Sequence, residues 1–349
     1  MVLKSLLLGL AAAASLTAMT RAGHADGLPG APPPFDKGDV KIALVSYLSG
    51  GDFFQAYEAG VTRQAKALGI DLHVFQGRQR PDEEREQIRQ AIDLGVKGII
   101  VNGGKAEAVS DVVQEALNAG IKVVAGNIYL KNPGVVVVDQ DFVGQLDLVL
   151  DQVEKENGDK FKAGYVYVEG FPALDNRDKA WAKFKTKHPG VEQVAQWGSV
   201  DDTTAKTVAD QTAAVFRAHP EISVVIAPYD EFARGVKLAT DDAGVSDKVK
   251  IYGVDVSTSD IQEIREPKSA WVATSAASAE GIGEVAARAI ALAIAGQLKE
   301  DKVYTKATLI TQKFLDDNNI KSEKELVAKL PAFLGRDIAS APWIPAPTE

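Results

Sequence analysis

VKIALVSYLSGGDFFQAYEAGVTRQAKALG, Val40 to Gly69, is the stretch whose reading decides the fold. Val40 to Ser46 is a nearly continuous apolar run of the length of one buried strand. A short loop follows, and Phe53 to Leu68 then carries a helical pattern that Gly69 stops. A strand without polar alternation that feeds an amphipathic helix is the building unit of a parallel sheet covered on both faces.

Working outward, the same unit recurs. Ile70 to Phe75 reads as a second strand, and Pro81 opens the next helix where its missing N–H does no harm. Gly98 to Val101 is a third strand. Val109, Val112, Val113, Ala116 and Leu117 then fall on one helical face, with Gly120 as the stop. Ile121 to Ala125 and Val135 to Val138 complete a first set. After Asp139 the rhythm restarts, with strands expected at Ala163–Val168, Val191–Gln196, Val224–Ala227 and Lys250–Val254. The fold class is α/β, in two doubly wound parallel-sheet lobes. The architecture repeats, but no internal sequence repeat accompanies it.

Composition agrees with two soluble lobes. The chain has 349 residues, 46% of them apolar and 25% charged, enough to bury two cores. Lys4, the apolar run Leu6–Leu16 and the small residues around Ala22, Gly23 and Ala25 read as a signal peptide over residues 1–25. The run falls well short of the roughly 20 apolar residues that span a bilayer. Loss of Lys4 and Arg21 with it takes the formal net charge from −9 to −11. An acidic surface repels phosphate backbones, so no nucleic-acid partner is expected. The chain has no cysteine, which excludes disulfides, thiolate metal sites and cysteine nucleophiles and suits a bacterial periplasm. His73, His188 and His219 lack metal-ligand spacing, and neither NGGK at Asn102 nor AEGIGEVA completes a nucleotide fingerprint. No cofactor, metal or catalytic residue is expected.

In open parallel sheets, ligands sit beyond the carboxyl ends of the strands. The residues at those positions are Tyr47, Asp52, Phe53 and Phe54 after the first strand, and Arg78 after the second. Asn102 and Asn127 follow the third and fourth, and Gln140 lies where the first set ends. The second set adds Phe171, Arg177, Asp201, Tyr229 and Asp255. Aromatic faces mixed with amides, carboxylates and one arginine suit a small neutral polyhydroxylated ligand. Asp230 reads as a helix cap, and Glu83–Glu84 as a solvated helix face.

These residues carry a resemblance. The chain resembles the type I periplasmic binding proteins of ABC importers, in the ribose-binding-protein branch, over roughly Asp39 to Thr311. The opening segment quoted above is similar to that family's first strand, loop and helix, where paired aromatics clamp the sugar; this implies that role for Phe53 and Phe54. GVKGIIVNGGKAEAV implies a sugar-binding amide at Asn102, DNRDKAWAKF a ligand-binding arginine at Arg177, and IYGVDVSTSDI a ligand-binding aspartate at Asp255. ISVVIAPYDEFARGVKLATDDAG matches another strand of the second lobe. Three positions depart from the ribose binders: Asn127 and Ile128 replace aspartate–arginine, Tyr229 replaces asparagine, and the late glutamine falls near Ala277. These changes bear on ribose itself as the ligand.

The resemblance implies a three-segment hinge with crossings near Asp139–Phe142, Ser275–Ser278 and Lys302–Thr305. The organisation expected is a flexible leader over 26–38, a first lobe from 39–139 plus 256–302, a second lobe from 140–255 plus 303–335, and a loose tail over 336–349. Arg177 and Asp255 are expected to face a solvent-filled cleft when unloaded. The function implied is capture of a neutral monosaccharide or sugar alcohol, pentose-sized, by a monomeric periplasmic protein that delivers it to a membrane permease. A secreted glycosidase using Asp52 with Asp201 or Asp255, and a protein presenting ligand to a sensor, are the alternatives.

Overall fold

The computed structural model describes residues 27–347, so the expected signal peptide lies outside the described residues. The first lobe begins with β1 (Lys41–Ser46), α1 (Asp52–Ala67), β2 (Asp71–Gln76), α2 (Pro81–Asp93), β3 (Gly98–Asn102), α3 (Ala106–Asn118), β4 (Lys122–Gly126) and β5 (Val135–Gln140). The second lobe continues with α4 (Phe142–Asn157), β6 (Lys160–Val166), α5 (Pro172–Lys187), β7 (Gly190–Trp197), α6 (Thr204–Ala218), β8 (Val224–Ala227), α7 (Asp230–Asp242), β9 (Lys250–Val254), α8 (Thr258–Ile264) and β10 (Trp271–Ala276). Then come α9 (Ala279–Ile294), β11 (Lys302–Thr305), β12 (Thr308–Thr311), α10 (Gln312–Asp317), α11 (Glu323–Lys329) and a 3-10 turn at Pro331–Leu334.

Two six-stranded sheets result, ordered β11-β5-β4-β3-β1-β2 and β12-β10-β9-β8-β6-β7. Within the first, β1 runs parallel to both neighbours, with Ser46 level with Asn102 and Gln76. Successive residues of β1 bury on opposite faces: Ile42 and Leu44 in one core, Ala43 and Val45 in another. That is why the run is continuously apolar. The second sheet is likewise sandwiched between two cores, and only β12, antiparallel to β10, breaks its parallel order.

The domain expectation needs three corrections. β10 pairs with β9 and β12, so residues 256–276 belong to the second lobe. β11 pairs with β5 in the first sheet, so Val303–Thr305 belong to the first lobe. The leader and tail are packed rather than loose. Phe35 is buried, its ring centroid 5.1 Å from that of Trp343. Trp343 Nε1 donates to Gln297 Oε1 at 2.8 Å, Gln64 Nε2 donates to the Pro345 carbonyl at 3.0 Å, and Ile338 and Ile344 pack on the first-lobe core. Proline-rich segments read as loose, yet their spaced apolar side chains are enough to seat them. The chain thus crosses between lobes a fourth time. Phe333 is buried in a second-lobe core, the Leu334 carbonyl lies against Gly281 of α9, and Gly335 turns the chain at φ 59°.

The tightest interhelical contact in the first lobe is between α1 and α9. A Cβ on Gly60 would lie 1.9 Å from the Glu280 carbonyl oxygen, and one on Gly283 2.1 Å from that of Tyr57. Arg63 then bridges Glu280 and Glu284 across the pair. Gly60→Ala should lower stability by about 2 kcal/mol or more, because a whole helix has to move aside; urea unfolding monitored by circular dichroism measures this.

Candidate ligand-binding cleft

The carboxyl ends of the two sheets face each other across a cleft with about 570 Å³ of atom-free space, part of it open to solvent. The first lobe contributes Leu48 after β1, Phe53 and Phe54 from the start of α1, Gly103 and Gly104 after β3, Asn127 after β4 and Gln140 at the end of β5. The second lobe contributes the stretch Phe171–Leu174 and Arg177 around the start of α5, Val200 after β7, Tyr229 after β8 and Asp255 after β9. The rings of Phe53 and Phe54 meet edge to face at 5.3 Å, and both border the cleft.

Arg177 is the centre of the second-lobe wall. It is only 2% exposed. Its Nη1 donates to the Pro228 carbonyl at 2.8 Å, and its Nη2 donates to Gln145 Oε1 at 2.6 Å and to Asp255 Oδ1 at 3.4 Å. The guanidinium also lies 5.4 Å from the centroid of Phe142. Gln145 in turn donates to Gln140 Oε1 at 2.9 Å, tying the first crossing to the same network. Asp255 adopts φ 73°, a conformation unfavourable for a non-glycine residue. β10 holds it there: Asp255 N–H donates to the Ser275 carbonyl at 2.8 Å, and Thr274 Oγ1 donates to the Asp255 carbonyl at 2.7 Å. Burial raises the Asp255 carboxyl above the ordinary aspartate range, and the Arg177 charge pulls it back.

On the first lobe, Asn127 also takes a left-handed conformation, φ 55°. Its N–H donates to Asp139 Oδ1 at 2.8 Å, and its Nδ2 donates to Asn102 Oδ1 at 3.0 Å. Asn102 is fully buried one step behind the lining, and its Nδ2 has no partner among the described residues. Burial pushes the Asp139 carboxyl up to about 7, against the Asn127 bond and the Arg177 charge. The cleft end nearest the hinge strands therefore has uncommitted groups of both kinds. Arg177 Nε is an unpartnered donor, while the bonds received by Asp255 fall on Oδ1 and leave Oδ2 as an acceptor. Such a set can hold vicinal hydroxyls in both hydrogen-bond senses.

Phe53, Phe54, Asn127, Gln140, Arg177, Tyr229 and Asp255 meet at the cleft, and Asn102 stands directly behind it. Four other expected site residues are placed elsewhere. Tyr47 is buried and donates its hydroxyl to the Gln79 carbonyl at 3.0 Å, bracing the loop after β2. Arg78, on that loop, is exposed at φ 49° and outside the lining. Asp52 turns to the opposite lobe, accepting from Arg234 Nη2 at 3.0 Å and from Ser259 Oγ. Burial opposes its ionisation, but those bonds hold its carboxyl below the ordinary value. Asp201 lies at the rim and is used to start α6, accepting from Ser199 Oγ at 2.7 Å and from the Thr203 N–H at 2.7 Å.

Asp52–Arg234 is one of several bonds that hold the lobes together over the mouth. Gln79 Nε2 donates to Asp202 Oδ1 at 2.8 Å, and the Tyr129 hydroxyl donates to the Pro172 carbonyl at 3.2 Å. The structure is therefore a closed form.

Sequence reasoning missed Gln145, Leu48, Val200 and the glycine pair. Gln145 could have been found: it is a polar residue on the apolar stripe of α4 that includes Phe142, Leu146, Val149 and Val153. It also misread Glu84, which is fully buried under Gly104, with both carboxyl oxygens unpartnered among the described residues. Burial pushes that carboxyl up to about 8. Asp230 is buried at the first position of α7 and its carboxylate accepts from the Glu231 N–H at 2.8 Å. Among the described residues no cluster of His, Cys, Asp or Glu is arranged to hold a metal ion.

Comparison with known proteins gives a consistent picture. The periplasmic binding protein domain family matches residues 42–298. The ribose import binding protein of Salmonella typhimurium is 26% identical over 231 residues, covering 66% of this chain and 77% of that protein. The D-apiose import binding protein of Paraburkholderia graminis is 27% identical over 253 residues, 70% of this chain and 75% of that protein. Among solved structures, the 5-methylthioribose transporter solute-binding protein of Thermotoga lettingae, in complex with 5-methylthioribose, is 34% identical with a TM-score of 0.84. It covers 87% of this chain and 95% of that one.

Two measurements follow from the cleft's electrostatics. Arg177→Ala leaves Asp255 and Gln145 buried without their partner in this closed form and should cost about 3–5 kcal/mol in urea unfolding. Glu84 gives a pH dependence. Between its ordinary value near 4.5 and about 8 the folded state keeps a proton that the unfolded state has released, so stability falls as pH rises through that window. Glu84→Gln should match the wild type near pH 4.5 and exceed it at pH 8.5 by on the order of a few kcal/mol, read from unfolding curves at the two pH values.

Proposed function

This chain belongs to the periplasmic binding protein family, and from that premise we propose that its two lobes close on one neutral, pentose-sized sugar or sugar alcohol. It is a solute-binding protein of the ABC-importer type and not an enzyme. The observation that supports the ligand reading best is the pairing of aromatic walls with uncommitted donors and acceptors in a closed cleft. Phe53, Phe54 and Phe171 offer faces for the C–H side of a sugar ring. Asn127, Gln140, Arg177 and Asp255 offer planar groups for its hydroxyls. Arg177 and Asp255 neutralise one another at 3.4 Å, which leaves no net charge to attract a phosphate or carboxylate. The curated relatives named above are import proteins for ribose and apiose, and the solved relative holds 5-methylthioribose; all three are pentose-sized.

Transport follows from a two-state equilibrium. Ligand that touches both lobes stabilises the closed form, because only that form offers both walls at once. The closed protein, working as a monomer in the periplasm, then presents a surface that a membrane permease distinguishes from the open one. The latch from Arg234 to Asp52 and from Gln79 to Asp202 stabilises the same state without touching ligand. A thermal-shift screen of pentoses, hexoses and polyols tests the reading. At one hundred times its Kd the correct sugar should add about 2.7 kcal/mol and raise Tm by about 5 °C. Asn127→Gly keeps the left-handed backbone but removes the amide that also bonds buried Asn102, so it should weaken that sugar about tenfold and lower stability by about 1–3 kcal/mol. A shift only with sugar phosphates or amino acids would overturn the proposal.

A further inference from the structure

The polar groups of the cleft are not spread around it. Asn127 follows β4, Gln140 ends β5 and Asp255 follows β9; in both sheets these strands lie on the hinge side. Arg177 reaches the same end through its bonds to Asp255 and Gln145. The far end is built differently. Leu48 follows β1, Val200 follows β7, and Phe171 and Leu174 flank the start of α5 after β6, all toward the opposite side of the two sheets. None of these four side chains can donate or accept a hydrogen bond.

The Gly103 N–H and the Tyr229 hydroxyl border this apolar end. The Gly103 N–H donates to the Gly126 carbonyl at 2.9 Å. The Tyr229 hydroxyl lies only 3.2 Å from where a Cβ on Gly51 would stand, so it points to the rim of the first lobe. Beyond the rim, Gln79 is bonded to Asp202, and Asp201 to Ser199 and Thr203. A hydroxyl group driven into this end would lose water against four apolar side chains that offer it no hydrogen bond.

From this segregation, and resting on the reading of the cleft as a sugar site, we propose that the ligand is amphipathic. Its vicinal hydroxyls are held at the hinge end, and its terminal carbon, carrying hydrogen or a thioether in place of a hydroxyl, occupies the apolar end. The cleft thus selects 5-deoxy or 5-alkylthio pentoses against the parent pentose.

Calorimetry of the chain with D-ribose, 5-deoxy-D-ribose and 5-methylthio-D-ribose decides it. The two hydroxyl-free sugars should bind at least about tenfold tighter than ribose, the discrimination one misplaced hydroxyl supports. Ribose binding as tightly as either would overturn the apolar-end proposal while leaving the sugar reading intact. Failure of all three sugars, and of other pentoses and hexoses, would overturn both. Tight binding of a disaccharide that spans cleft and rim would also overturn the proposal. Leu48→Asn places an amide at the apolar end on a half-buried loop residue, and circular dichroism checks its fold. It should narrow or reverse the preference in favour of ribose by about tenfold; an unchanged preference would place the hydroxyl-free end elsewhere and sink the assignment.

Discussion

A guanidinium that water cannot reach has to be satisfied by the protein, and at Arg177 that requirement organises the hinge side of the molecule. Its partners come from the loop ahead of α7, from α4 and from the end of β9. Gln145 extends the network to Gln140 at the first crossing, and its own carbonyl accepts from Ser275 Oγ in β10. One buried charge therefore ties together the strands that lead into the hinge, and leaves its Nε–H without a partner among the described residues. The wall that meets ligand is stiff because it is built to neutralise itself first.

Closure uses a second arginine in the opposite manner. Arg234 is half-exposed at the mouth, where it is shared between Asp52 of the first lobe and Ser259 and Asp260 of the second. Asp260 and Glu231 remain within its reach without the first lobe, so opening costs the guanidinium only part of its bonds. Contacts of this kind contribute little each in water. They bias an equilibrium that ligand can still control, which a deeply buried interlobe pair would not allow.

Much of the fold was legible because both faces of each sheet are buried. The central strands are then continuous apolar runs with glycine or proline punctuation, and β1 through β9 were read within a few residues. β10, β11 and β12 were not. WVATSA carries Thr274 and Ser275, whose hydroxyls look unsuited to a core until the fold supplies the Asp255 and Gln145 carbonyls. KVYT is a four-residue edge strand that pairs, among the described residues, with β5 alone, which is remote in sequence. The site was legible to the same depth. The strand-end rule finds positions, not side-chain directions: Asp52, Phe53 and Phe54 are consecutive, yet Asp52 joins the latch while both rings border the cleft. It also could not find Gln145, which acts from the middle of a helix.

The packed leader and tail change how the molecule should be regarded as a piece of topology. Residues 27–38 and 336–347 lie on the same lobe and touch through Phe35 and Trp343. The second lobe is thus inserted into the first, in two segments either side of α9 and β11. Its core is complete once Phe333 exists, whereas the host lobe still lacks Ile338, Trp343 and Ile344. Synthesis runs from the N-terminus, so the guest domain can assemble while its host is still unfinished, and the last dozen described residues act as the clasp that completes the host.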